Sequence, residues 1–250
     1  MTDPNTSPPV QTKQPIFMMP GVVTAMIGLM LAIQAAQIFV LDEQSQLRLA
    51  VWFGFIPLRL TDPTHVPGGL MALIWTPITH AFLHAGWEHV LLNSAWLAIF
   101  GVPVARRYGS VRFLVVFCVS AIAGAAVFAL FLSPELQILI GASGGVSGLT
   151  GIAMRFVFQP IVAVLDETNG TFVGRGRRLA SWPEMFTNGR ARTFVIVWIA
   201  LNALVPFLPG LFGGFEVQIA WQAHLGGFAA GLLIAPVLDR SMRGTNTFRT

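Results

Sequence analysis

Long apolar runs separated by polar stretches dominate the chain, and a helix crossing a bilayer core takes about 20 such residues. Six runs qualify, at roughly Phe17 to Leu41, Trp87 to Pro103, Arg112 to Leu132, Leu139 to Phe158, Thr193 to Leu211 and Val217 to Leu238. The second is short, and the fourth and sixth are rich in glycine. The pattern predicts an all-α, polytopic membrane protein, a six-transmembrane-helix bundle over residues 17–238. A proline-rich polar segment, 1–16, is expected to be a disordered cytoplasmic tail, and 239–250 a cytoplasmic C-terminal tail. No small-residue cleavage site follows the first apolar run convincingly, so it reads as a retained helix. The connection Asp42 to Gly86 contains VWFGFIPLRL, whose aromatics and scattered charges suit a segment lying at or dipping into an interface. Residues 159–192, arginine-rich with asparagine and glycine breakers, read as a long cytoplasmic loop.

Composition sharpens this picture. With 54% hydrophobic and 10% charged residues the chain is too apolar for an ordinary soluble domain. Its net charge of +4 comes mostly from arginines between apolar runs, which suggests membrane topology and no nucleic-acid partner. Arg106, Arg107 and Arg112 flank the second connection. Arg155, Arg175, Arg177, Arg178, Arg190 and Arg192 crowd the fourth, and Arg240, Arg243 and Arg249 mark the tail. Only Arg48 and Arg59 fall in odd-numbered connections, and the third and fifth carry Glu135 and Glu216 instead. Basic residues are retained on the cytoplasmic side, so both termini are expected there. The lone cysteine, Cys118, permits no intrachain disulfide and reads as a packing residue. The absence of an internal repeat argues against an inverted-repeat transporter.

Polar residues at membrane depth are costly and mark functional positions. Three clusters stand out. In ITHAFLHAGWEHVLLNSAW, His89 and Asn93 are one turn apart on a helix face, with Asn93 roughly 9 Å beneath the interface marked by Trp87 and Glu88. In GASGGVSGLTG, Ser143 lies near the start of its span, where free backbone N–H groups favour a developing negative charge. In WQAHLGGFAAG, His224 lies roughly 12 Å beyond Glu216 and precedes Gly227 and Gly231, spaced for tight helix contact. Each signal alone has an ordinary explanation. Serines in small-residue membrane helices mostly pack, asparagines join helices, and His80 with His84 has metal-ligand spacing but no HExxH. Their common depth on one side is what points to a site.

At these residues the sequence resembles the rhomboid family of intramembrane serine proteases, over roughly residues 17–238. GASG, Gly141 to Gly144, matches the family's GxSG motif; His89 and Asn93 match its HxxxN; Ala223 to Gly231 match its sixth-span histidine with spaced glycines. GVSG, Gly145 to Gly148, also fits GxSG and nominates Ser147, but the family motif opens the glycine run, which favours Ser143. Ser147 stands where many relatives have an aromatic residue packed on the histidine. Ala105 stands where many carry a glutamate before an arginine pair.

The resemblance implies a serine endopeptidase that hydrolyses peptide bonds in or near transmembrane segments of protein substrates. Catalysis would fall to a Ser143–His224 dyad, with the Ser143 N–H, Asn93 and His89 stabilising the oxyanion. No cofactor and no metal are expected, and the partners are the lipid bilayer and transmembrane protein substrates. The expected location is a bacterial inner (plasma) membrane. The fifth connection, VPFLPGLFGGFE, reads as a mobile cap. The competing readings are a catalytically silent relative that binds membrane proteins, a small transporter or channel, and a histidine-ligated metal enzyme, for which five histidines are few.

Overall fold

The structure, a computed structural model, describes residues 19–131, 136–166, 171–204 and 220–246. The N-terminal tail, the first two residues of the first apolar run and the proposed cap of the fifth connection lie outside these residues. The first helix, α1 (Gly21–Val40), is mostly apolar and keeps Gln34 and Gln37 on its buried side. It is followed by α2 (Glu43–Phe53), capped by Asp42, whose side chain accepts from Ser45 N at 2.8 Å. Two tight turns, Pro57–Leu60 and Gly69–Ile74, and a one-turn helix, α3 (Thr76–Thr79), complete the first connection.

That connection is an ordered substructure pinned by a buried arginine. Arg59 is fully enclosed, and its guanidinium donates to Gly54 O at 3.1 Å, to Pro67 O at 3.0 Å, and to Val51 O. A buried cation is tolerated only when its donors are satisfied, and here backbone carbonyls do so.

The next apolar run is one helical ribbon, Trp87–Leu130, comprising α4 (Trp87–Trp96), a wide π turn (Leu97–Gly101) and α5 (Val102–Leu130). The helix runs past Pro103, where the apolar pattern suggested an end. Pro103 immediately follows the π turn, where the regular ladder that its missing N–H would break is already interrupted. The ribbon reverses at Gly109, whose φ of 79° lies in the left-handed region. The proof of reversal is Phe113, whose ring comes within 3.1 Å of a Cβ built on Gly101. A straight helix would hold residues twelve apart about 18 Å from each other.

The core is a triple contact of α5, α6 (Ser143–Met154) and α9 (Trp221–Asn246). Every residue of α6 from Gly144 onward is buried. Glycine lets the backbones meet: a Cβ on Gly227 would stand 2.0 Å from Gly144 O, one on Gly231 1.9 Å from Gly148 O, and one on Gly124 2.6 Å from Ala223 O. At twelve residues α6 is about 18 Å long, well short of a bilayer core of about 30 Å. Its first residue therefore opens inside the bundle.

The segment read as a plain loop, 159–192, contains regular structure. Strands β1 (Ile161–Asp166) and β2 (Thr171–Arg177) form an antiparallel pair, and α7 (Trp182–Thr187) follows with a capping box between Ser181 and Glu184. Arg155 closes the far end of α6: buried, it donates to Ala180 O at 2.8 Å and Leu232 O at 3.2 Å, and stacks on Trp182. The next helix, α8 (Gly189–Leu204), packs on α9 through Trp198 and Phe228, whose rings stack with centroids 4.5 Å apart. Finally, α9 continues to Asn246, past the expected start of the tail at residue 239. A helix satisfies its own backbone and needs no apolar sequence to continue, and Asp239 is held by Arg107 at 2.6 Å. Three described helical runs are long and apolar enough to cross a membrane: Gly21–Val40, Trp87–Leu130 and Trp221–Arg240.

Candidate active site

The residues ahead of α6 are fixed by the first connection. Phe55 and Leu139 exchange backbone hydrogen bonds of 3.0 and 2.8 Å, and Gly141 N donates to His80 O at 2.9 Å. Ala142 N donates to Nε2 of His84 at 3.3 Å. His80 contributes backbone here, because its ring bonds Thr76 O through Nδ1 at 2.9 Å. His80, through its backbone, and His84, through its ring, thus have separate tasks in positioning the approach to Ser143. Burial in this connection pushes the His80 imidazole down to about 4 and, with His89 alongside, that of His84 down to about 3.

Gly141 has φ of 120°, and a Cβ there would meet the His89 ring at 2.7 Å and Ser143 Oγ at 3.8 Å. Glycine is therefore required twice over, by backbone conformation and by the ring pressed against it. The same construction shows that Nε2 of His89 and the Ser143 hydroxyl border one small volume. His89 Nδ1 accepts from Ala85 N at 3.4 Å, so the ring proton belongs on Nε2, facing that volume.

Ser143 is the first residue of α6 and half-buried; its N–H lies in the opening turn, which has no intrahelical acceptors. Ser147, one turn on, is buried in the helix interior, where its N–H belongs to the ladder. Asn93 is buried, and its Nδ2 donates one hydrogen to His89 O at 2.9 Å, leaving the second. From the other side, Gly144 faces Ala223 O at 3.6 Å from its Cβ position, so the start of α6 abuts the turn of α9 that carries His224. Among the described residues no hydrogen bond joins Ser143 to His224; such contacts often tighten only when substrate is bound. The His224 ring instead bonds Asn202 of α8, with Nδ1 2.5 Å from Oδ1.

Asn202 was not singled out by the sequence reading. The signal was present, since it is a carboxamide inside the apolar run Thr193 to Leu211 and the same cost of burial applies to it.

The sequence pattern of the Rhomboid domain matches residues 72–241, which include His80, His84, His89, Asn93, Ser143, Asn202 and His224. This chain belongs to the rhomboid family. RHOMBOID-like protein 1 of Arabidopsis thaliana is 30% identical over 161 residues, 64% of this chain and 33% of that protein. Rhomboid protease GlpG of Klebsiella pneumoniae is 29% identical over 161 residues, 64% of this chain and 47% of that protein. RHOMBOID-like protein 7 of Arabidopsis thaliana is 30% identical over 165 residues, 66% of this chain and 43% of that protein. The chain thus matches between a third and a half of the length of these relatives. As a rhomboid it is an integral membrane protein with a helical membrane bundle. Arg107, two residues after Ala105, pairs with a carboxylate from α9, Asp239.

Proposed function

We propose that this rhomboid is an intramembrane serine endopeptidase acting through Ser143 and His224. One observation carries the reading: the opening residue of α6 sets a hydroxyl and a free N–H beside the Nε2–H of His89, while glycine contacts clamp the His224 turn of α9 against it. A related protein bears the name Rhomboid protease GlpG, which supports the same activity. Ser143 is favoured over Ser147 because only its N–H precedes the helical ladder.

In the proposed reaction Nε2 of His224 takes the Ser143 Oγ proton as Oγ bonds to the scissile carbonyl carbon. The resulting oxyanion accepts hydrogen bonds from Ser143 N–H, His89 Nε2–H and the second Asn93 Nδ2 hydrogen. His224 passes its proton to the departing amine as the C–N bond breaks, leaving an ester on Ser143. Water then attacks that ester with His224 again as base, and Ser143 is restored. Loss of Asn93 or His89 is expected to slow cleavage about 10²-fold, as for other oxyanion donors.

The substrates are transmembrane segments of other proteins, cut where the helix is weak enough to expose a carbonyl. In this reading the reversal at Gly109 makes two crossings of the Trp87–Leu130 ribbon, and α6 and α8 add the remaining ones to a total of six. Both termini are cytoplasmic and the site opens near the opposite face; the membrane is a bacterial inner membrane. The test is cleavage of a reporter carrying a helix-weak transmembrane segment. Ser143→Ala and His224→Ala abolish it, Ser147→Ala spares it, and a fluorophosphonate probe labels Ser143. Wild-type cleavage by Ser143→Ala ends the proposal, and failure of the probe to label Ser143 favours a silent, binding relative.

A further inference from the structure

Asn202 sits within the apolar run of α8, and its amide is engaged at both ends. Nδ2 donates to Trp198 O at 2.7 Å, and Oδ1 lies 2.5 Å from Nδ1 of His224. These two contacts assign the proton. A backbone carbonyl only accepts, so the NH₂ end of the amide faces Trp198 and the oxygen faces the imidazole. That oxygen also only accepts, so the neutral His224 ring carries its hydrogen on Nδ1. Its basic lone pair is then on Nε2. The anchor is itself rigid, because Trp198 is buried and stacked on Phe228, one turn beyond His224 on α9.

We propose that Asn202 is the positioning residue for the catalytic imidazole, holding His224 through an Nδ1–H···Oδ1 hydrogen bond in the tautomer and orientation that leave Nε2 free to take the Ser143 proton. The inference rests on the serine endopeptidase reading above. An imidazole of the other tautomer would present N–H to the hydroxyl and cannot accept its proton. Asparagine holds the histidine in the same relation in Cys-His-Asn proteases, so a carboxylate is not required for this task. A neutral amide also avoids burying a negative charge that nothing nearby would pair. Asn202 exchanges no proton at any step. While His224 holds the Ser143 proton on Nε2, its Nδ1–H stays on the Asn202 oxygen, and the proton leaves with the amine. Among the described residues, the titratable group that acts on the His224 ring is His89, across the site on α4.

The experiment uses the full chain in liposomes with the transmembrane reporter, comparing Asn202→Leu and Asn202→Asp with wild type, and Ser143→Ala as the inactive reference. Asn202→Leu is expected to lower kcat about 10- to 10²-fold with KM changed less than about twofold, because only alignment is lost. Asn202→Asp restores most of the rate and moves the acid limb of the kcat/KM profile to higher pH, since a carboxylate favours the protonated ring. A residue that merely packs α8 on α9 would not move that limb. Where Asn202→Leu fails to fold, the profile of Asn202→Asp decides alone. Wild-type kcat in folded Asn202→Leu, or an unmoved acid limb in Asn202→Asp, overturns the positioning role. With Ser143→Ala inactive, that result leaves the serine endopeptidase reading intact, whereas an active Ser143→Ala removes both.

Discussion

Nε2 of His84 accepts a hydrogen bond from the backbone N–H of Ala142, 58 residues along the chain and next to Ser143. The bond joins the first connection to the start of α6 at the point where the candidate nucleophile must be held. His84→Ala would leave the buried Ala142 N–H without an acceptor, a cost of about 1–3 kcal/mol. It would also free the approach to Ser143, and small misplacements of reacting groups are expensive. The expected result is a lower unfolding temperature together with a fall in kcat of about tenfold or more. Thermal scans and reporter kinetics on the same preparation check it, and an effect on stability alone would show that the bond does not position Ser143.

The acid sensitivity of the first connection follows from His80, which is buried and donates through Nδ1 to Thr76 O. Burial pushes its imidazole down to about 4, below the ordinary 6.5 that it regains on unfolding. The unfolded chain therefore binds the proton more readily. The stability that His80 contributes is fully present above about pH 6.5 and is lost as pH falls toward about 4. At one pH unit per 1.4 kcal/mol, the loss reaches about 3 kcal/mol. Unfolding temperatures in nonionic detergent should be flat near pH 8 and decline below pH 6.5. His80→Gln, which has no charge to gain, should decline less steeply; an identical slope would assign the acid sensitivity elsewhere.

Legibility of the fold and site in the sequence depended on whether the signal was local. The candidate residues Ser143, His89, Asn93 and His224 stand out because each is a polar side chain in an apolar run, and the Gly227 to Gly231 spacing did mark a backbone contact. Asn202 bears the same mark and was passed over, because its meaning depends on a ring 22 residues away. The hairpin in the fourth connection was hidden by its arginines. Yet the β-branched runs around Asn169–Gly170 were a readable hairpin signal. The burial of Arg59 was not legible, since nothing in PLRL shows that distant carbonyls will enclose it. The helix through Pro103 was not legible either, because proline signals an end unless the preceding turn is already irregular.

The contact of α6 with α9 should tolerate no side chain at Gly227 or Gly231. A methyl at either position would come within about 2 Å of a backbone oxygen, Gly144 O or Gly148 O respectively. Backbone cannot rotate away as a side chain can, so the helices must separate. Gly227→Ala and Gly231→Ala are each expected to destabilise by about 1–3 kcal/mol or more and to abolish cleavage by moving His224 from Ser143. Gly28→Ala in α1 is the control, because its Cβ position meets nothing within 4 Å. It should keep full activity and an unchanged or slightly higher unfolding temperature. Equal behaviour of the three variants would sink the packing argument.

Arg107 and Asp239 offer a separation of stability from catalysis. Their ion pair at 2.6 Å is largely enclosed, with the Tyr108 hydroxyl donating to Asp239 Oδ1 at 3.4 Å and the guanidinium 4.9 Å from the Phe156 ring centroid. Asp239 lies fifteen residues beyond His224 on α9, about 22 Å along the helix. Its loss should therefore leave the chemistry alone. Removing Asp239 strands the Arg107 guanidinium in a poorly solvated place, at a cost of about 3 kcal/mol. Removing both takes away the attraction and the stranded charge together. Asp239→Ala is thus expected to lower the unfolding temperature with kcat and KM unchanged. Arg107→Ala should lower it further, since the guanidinium also donates to Arg177 O and covers Phe156. The double variant should be less destabilised than the sum of the two, and a double-mutant cycle measures that difference directly. Strict additivity would mean that the two charges do not depend on each other.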